Sequence, residues 1–126
     1  MFVRKVSALL KPNSVSEFAK LMEREVLPWL RKQKGFLDLI ILAVPDGREV
    51  ATISFWDQPA NAEAYNTRGY PEVLEILGGL LDGCPYVKTF EVVSSTVQKV
   101  PSGRPSAAEN LLETGPTQFR YPLGVK

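Results

Sequence analysis

Residues 36–56 read FLDLIILAVPDGREVATISFW, and the reading of the fold turns on this stretch. Residues 36–44 are apolar at almost every position. Pro45, Asp46 and Gly47 follow, and residues 48–56 run back towards Trp56 with mixed character. Asp-Gly between two strand-like runs supplies the positive φ angles of a tight hairpin. The first run lacks the alternation of a half-exposed strand, so both of its faces are expected to be covered.

Upstream of the hairpin, residues 2–10 form a short apolar-rich run that ends in the turn signal Lys11, Pro12 and Asn13. SVSEFAKLMEREVLPWLRKQKG follows. Ser14 with Glu17 three residues later has the capping-box spacing of a helix start. Val15, Phe18, Met22, Val26 and Trp29 recur at helical spacing. Arg31, Lys32 and Lys34 gather where the negative end of the helix dipole favours them, and Gly35 stops the helix. Pro28 lies inside it, so one backbone hydrogen bond should be lost and the last turn bent.

Downstream, Asp57, Gln58 and Pro59 open a helical segment that runs to about Arg68, where Gly69 interrupts it. Pro71 restarts a helix with Val73, Leu74, Leu77 and Leu81 on one side, ended by Asp82 and Gly83. Residues 86–100 read as the final strand. The order β-α-β-β-α-β predicts an α+β, ferredoxin-like arrangement in which helices cover one face of a four-stranded antiparallel sheet. An apolar second face left in water would be adhesive, so a second copy packed sheet against sheet is the economical partner: a homodimer through the sheet faces. The expected domain is residues 1–100. Residues 101–126, rich in Pro, Gly and Ser, read as an irregular tail packed on its own or the partner subunit, with Leu111, Leu112, Phe119, Tyr121 and Leu123 as anchors.

Composition narrows the chemistry. Fifteen basic against 14 acidic residues create no long-range field for nucleic acid. No apolar run reaches the length of a membrane span, and the charged start does not resemble a signal peptide, so no membrane partner and a cytoplasmic location are expected. The chain has no histidine and one cysteine. That removes His-based acid–base, nucleophilic and metal-ligating systems, together with thiolate clusters. Cys84, in a turn with no activating neighbour in sequence, reads as a small structural residue. Carboxylates, tyrosines and lysines remain, or the reactivity of the substrate itself. Asp38 and Glu91 sit in apolar strands, either as buried bases or, more plainly, paired with Arg4, Lys5 or Lys88 or facing water.

The first strand with LLKPNSVSEFAKLMEREVLPWLRKQKGF, the Asp-Gly hairpin and ISFWDQPANAEAY together resemble the antibiotic biosynthesis monooxygenase family, over about residues 2–97. The resemblance implies a dimeric α+β barrel with a ligand pocket between each sheet and its helices. It also implies oxidation of a phenolic or related aromatic molecule by O₂ without metal or flavin, the protein supplying deprotonation, anion stabilisation and a dry cavity. Trp56 occupies the strand-end position where the family carries a Trp. The family's Asn four residues earlier is Thr52 here, its Tyr six residues later is Ala62, and its helix Arg falls near Ile76. The helix His of the haem-degrading branch falls on Glu75, while Tyr65 matches a pocket-lining aromatic of that branch.

Trp56 and Tyr65 are therefore the candidate catalytic residues, with Thr52, Ser54, Trp29 and Tyr70 as candidate substrate contacts and no cofactor or metal. Trp56 also reads as core packing, since large aromatics at strand ends bury area before they do chemistry. The Gly69 break between Tyr65 and Tyr70 suits a lid. Two readings stand. One is a cofactor-independent monooxygenase-like oxidoreductase, with a cavity of a few hundred Å³ lined by Trp56, Tyr65 and Tyr70. The other is a non-catalytic homodimeric ligand-binding or stress-response module, whose cavity is filled by Phe, Leu and Met side chains.

Overall fold

A computed structural model of the chain describes residues 1–96, of which Phe2–Glu91 form one compact unit. The tail expected over residues 101–126 lies outside the described residues, as does the end of the strand expected to reach residue 100. Four strands make one antiparallel sheet: β1 (Phe2–Leu9), β2 (Phe36–Ala43), β3 (Glu49–Trp56) and β4 (Tyr86–Glu91), in the order β2-β3-β1-β4. The ferredoxin-like α+β order therefore holds. The last strand stops at Glu91, earlier than the sequence suggests.

The hairpin between β2 and β3 forms around the expected residues. Asp46 takes the left-handed conformation with φ 59°, and the Gly47 amide bonds the Val44 carbonyl at 3.0 Å. Gly47 itself needs no positive φ, because Pro45 and Asp46 occupy the two central positions of the turn.

The first helix starts at the expected place but not by the expected cap. α1 (Val15–Leu21) follows Ser14, whose hydroxyl bonds the Pro12 carbonyl at 3.4 Å and makes no cap to the helix. A π-helical turn, Met22–Val26, connects α1 to α2 (Leu27–Arg31). The Leu27 amide reaches back five residues to the Met22 carbonyl. The widened turn ends just before Pro28, which has no amide to donate and whose ring crowds the carbonyl four residues earlier. The irregularity thus falls one turn before the place Pro28 itself suggests. Phe18, Met22, Val26 and Leu30 face inwards and are buried. Gly35, with φ +84°, makes the turn into β2, and a side chain there would fall on Asp57 and Asn61.

α3 (Pro59–Arg68) and α4 (Tyr70–Leu77) meet at Gly69, and a single 3₁₀ turn, Gly78–Leu80, ends the helical run. All helices lie on one face of the sheet, and alternation assigns the strand residues. Arg4, Val6, Thr52, Ser54 and Trp56 look towards the helices. Leu9, Ile40, Leu42 and Phe90 look away and are 41–45% exposed. The second apolar face foreseen from residues 36–44 is real, but in the single chain it is open rather than covered. Asp38 and Glu91 are both exposed, so neither is a buried base. Among the described residues no helix is long and apolar enough to cross a membrane.

Candidate functional site

The site lies between the helix-facing side of β1–β3 and the underside of α1–α4. Its framework begins at Trp56, which is wholly buried at the end of β3 between Phe2 and Phe36 of the neighbouring strands. Burying an indole of that size contributes roughly 5 kcal/mol of transfer free energy. The Phe36 ring meets it edge-on at 5.7 Å, and the Tyr65 ring stacks on it at 5.1 Å. The Trp56 Nε1–H donates to Ser54 Oγ at 2.9 Å, and that hydroxyl donates to the Arg4 carbonyl at 3.3 Å. Trp56 is thus tied to β1 through Ser54 and to α3 through Tyr65.

Above this layer is a small, partly open cavity of about 40 Å³. That is well below the roughly 150 Å³ of an apolar protein cavity that holds one benzene ring. The chamber is smaller than the few hundred Å³ expected, because Phe18, Met22, Leu30 and Leu77 intrude on it. Thr52, Ser54, Tyr65 and Tyr70 line it. Trp56 and Trp29 do not. Trp56 sits behind Tyr65, while Trp29 spends its indole N–H on the Gly69 carbonyl at 3.1 Å, bracing the break between α3 and α4.

The residue that sequence reasoning missed is Arg4. Its backbone is central in the sheet and the residue is 3% exposed, yet among the described residues no carboxylate pairs with it. The guanidinium donates to Asn66 Oδ1 at 2.7 Å. It lies 4.1 Å from the centre of the Tyr70 ring and 5.1 Å from that of Tyr65. An unpaired buried cation is costly, and two aromatic faces replace only part of its hydration. Burial accordingly lowers the Arg4 pKa, which Tyr65, a hydrogen bond to the Tyr70 side chain and the charge of Glu63 oppose. Burial also raises both tyrosines, Tyr65 to about 12, with Arg4 pulling each back. Both phenols are therefore neutral at ordinary pH, and Tyr70 accepts from the Arg4 guanidinium. The signal in the sequence was the Arg-Lys pair within β1: alternation forces one of the two to face inwards.

Arg4 borders a second space. An open cleft of about 420 Å³ runs beneath α3 along β1 and β4, with Pro59, Glu63, Asn66 and Thr89 on its walls. Arg4 lines both, so it borders the chamber and the cleft alike. Among the described residues no three of His, Cys, Asp and Glu converge as they would around a metal ion.

No family model matches this chain. No curated protein matches it either. Solved structures do. A monooxygenase from Streptomyces coelicolor, in complex with nanaomycin D, superposes with a TM-score of 0.66 at 22% identity, covering 78% of this chain and 92% of that one. The chain has the fold of the antibiotic biosynthesis monooxygenases. A protein from Deinococcus radiodurans, provisionally assigned as such a monooxygenase, matches with a TM-score of 0.61 at 11% identity over 75% of this chain and 95% of its own. A Nitrosomonas europaea protein of unknown function gives 0.64 at 17% identity, over 81% and 95%.

Proposed function

We propose that the chain is a monooxygenase-like oxidoreductase without metal or flavin, acting on a phenolic or related aromatic molecule in the chamber beneath α3 and α4. The observation that carries this reading is the wall on which a buried guanidinium and two neutral phenols face one small apolar space, which has to widen to take a ring. A phenol entering it loses its proton, and the phenolate is stabilised by the positive charge of Arg4 and by donation from Tyr65 and Tyr70. The electron-rich ring passes an electron to O₂, the resulting radicals join at a ring carbon, and the hydroperoxide loses water. One phenol and one O₂ yield one quinone and one H₂O. The chamber wall carries no carboxylate or imidazole, so the proton leaves through the cleft to solvent.

The assembly we propose is a homodimer joined through the outer faces of the two sheets. The exposed Leu9, Ile40, Leu42 and Phe90 support it, because four large apolar side chains on one sheet face are more than a monomer usually leaves in water.

The largely aliphatic wall and the lack of a base on it favour a second reading, a non-catalytic homodimeric ligand-binding or stress-response module. Oxygen uptake with simple phenols and hydroquinones, followed with quinone absorbance, separates the two. Uptake above the spontaneous rate, reduced in Arg4→Met, is the expected result. Uptake at the spontaneous rate for every phenol that binds removes the enzyme reading.

A further inference from the structure

We infer that α4 is a lid over the chamber: it pivots at Gly78 and Gly79, and two contacts at its other end latch it shut. The inference rests on the chamber as the proposed ligand site but not on any reaction there.

At about 40 Å³ the chamber has to gain volume before a ring can enter. Its walls are not equally free to move. The floor is sheet, in which β1 and β3 are each paired on both sides. Residues 15–31, from α1 through the π-helical turn to α2, run as helix without a glycine. α3 is fixed through Tyr65, which stacks on the buried Trp56. α4 is the remaining wall, and it brings Tyr70, Val73, Leu74 and Leu77 to the chamber. Glycine bounds it at both ends, Gly69 before it and Gly78 with Gly79 after it.

Neither backbone geometry nor packing calls for glycine at Gly78 and Gly79. The glycines with positive φ among the described residues are Gly35 and Gly83, so this pair is not a left-handed helix cap. A Cβ on either would meet no described atom within 4 Å, so no close approach excludes a side chain. What glycine adds there is backbone freedom, within a single 3₁₀ turn of the kind that marks hinges in helical runs. Directly beyond that freedom the chain is pinned. The Lys11 amide donates to the Leu80 carbonyl at 2.9 Å, the Asp82 amide donates to the Leu9 carbonyl at 2.8 Å, and Arg48 pairs with Asp82 at 2.6 Å. A loose pair of residues between a short rigid helix and an anchored segment is a pivot.

The latches are at the opposite end of α4. The Trp29 Nε1–H, from α2, donates to the Gly69 carbonyl at 3.1 Å. The Arg4 guanidinium, from β1, is hydrogen-bonded to the Tyr70 side chain and lies 4.1 Å from the centre of its ring. Their release lets α4 tilt outwards and draws its four side chains out of the chamber.

Hydrogen exchange of the full chain, read by mass spectrometry of its peptides, tests this without a ligand. In the parent, residues 70–77 are expected to exchange about tenfold or more faster than β1 and β3. Trp29→Phe keeps a ring and loses the donor. It is expected to speed exchange in 70–77 about fivefold, the contribution of one hydrogen bond, with the strands unchanged. Gly78→Ala combined with Gly79→Ala is expected to slow exchange there about threefold, and it keeps the test open if Trp29→Phe does not fold. Exchange of 70–77 in step with the strands in the parent overturns the inference. So does a Trp29→Phe that shifts helix and strands by one common factor, or a glycine variant whose 70–77 exchange matches the parent. A lid that opens in a protein with no oxygen uptake on any phenol sinks the oxidation alone. Phenol turnover with α4 exchanging in step with the sheet sinks the lid alone.

Discussion

The guanidinium carbon of Arg4, on β1, lies 4.1 Å from the centre of the Tyr70 ring, on α4. The contact spans the molecule. It holds a buried positive charge against a π face in place of a carboxylate, and it orients both groups towards one chamber.

If that contact stabilises the fold as its burial implies, Arg4→Met and Tyr70→Leu will be coupled. A double-mutant cycle by urea unfolding should give about 2 kcal/mol of interaction, the upper range for a desolvated cation–π pair. Additive effects would show that the two merely lie side by side.

Tyr65 titrates far from its ordinary range, at about 12 instead of 10.0, because burial outweighs the attraction of Arg4. A raised folded-state pKa stabilises the fold below the unfolded value. That stability is therefore complete below pH 10 and is lost as pH climbs towards 12, by roughly 3 kcal/mol. Unfolding free energies of the parent and Tyr65→Phe, compared across that window, should converge with rising pH as the parent's alkaline loss disappears from the variant.

Gly69 gives the Tyr65 ring its place. A Cβ there would sit 2.7 Å from Tyr65 Cδ1 and 2.9 Å from Cε1, although the backbone at Gly69 is ordinary and helical. Gly69→Ala should cost about 1–3 kcal/mol through displacement of the ring, not through backbone strain. The Trp56 contribution to near-ultraviolet circular dichroism should shift with it, since Trp56 stacks on Tyr65.

The outer face of the sheet is tested at Ile40, which is 41% exposed. The parent is expected to sediment as a dimer of the 14.0 kDa chain. Ile40→Lys should sediment as a monomer with unchanged helix and strand content, because burying an unpaired ammonium between two sheets is prohibitive. A monomeric parent would remove the proposed interface.

Much of this architecture was legible before any coordinates. The Pro-Asp-Gly hairpin, the Gly69 break, the four strands and the apolar second face are local patterns, each written within about ten consecutive residues. The capping box at Ser14 was misread because its hydroxyl found the Pro12 carbonyl first, a competition that spacing alone does not express. Trp56 carried both of its readings in the sequence. The tertiary structure placed it behind the cavity wall, where its indole N–H is already bonded to Ser54.

The chain alone therefore determined which segments are strands and helices and that one sheet face would be left apolar, since periodicity encodes both. Only the tertiary structure decided that Arg4 is buried at the chamber. The Arg4–Asn66 hydrogen bond joins residues 62 positions apart, and which side of β1 meets α3 depends on strand register and helix docking. Alternation says that Arg4 and Lys5 point opposite ways. The packing of distant segments selects which of them loses its water.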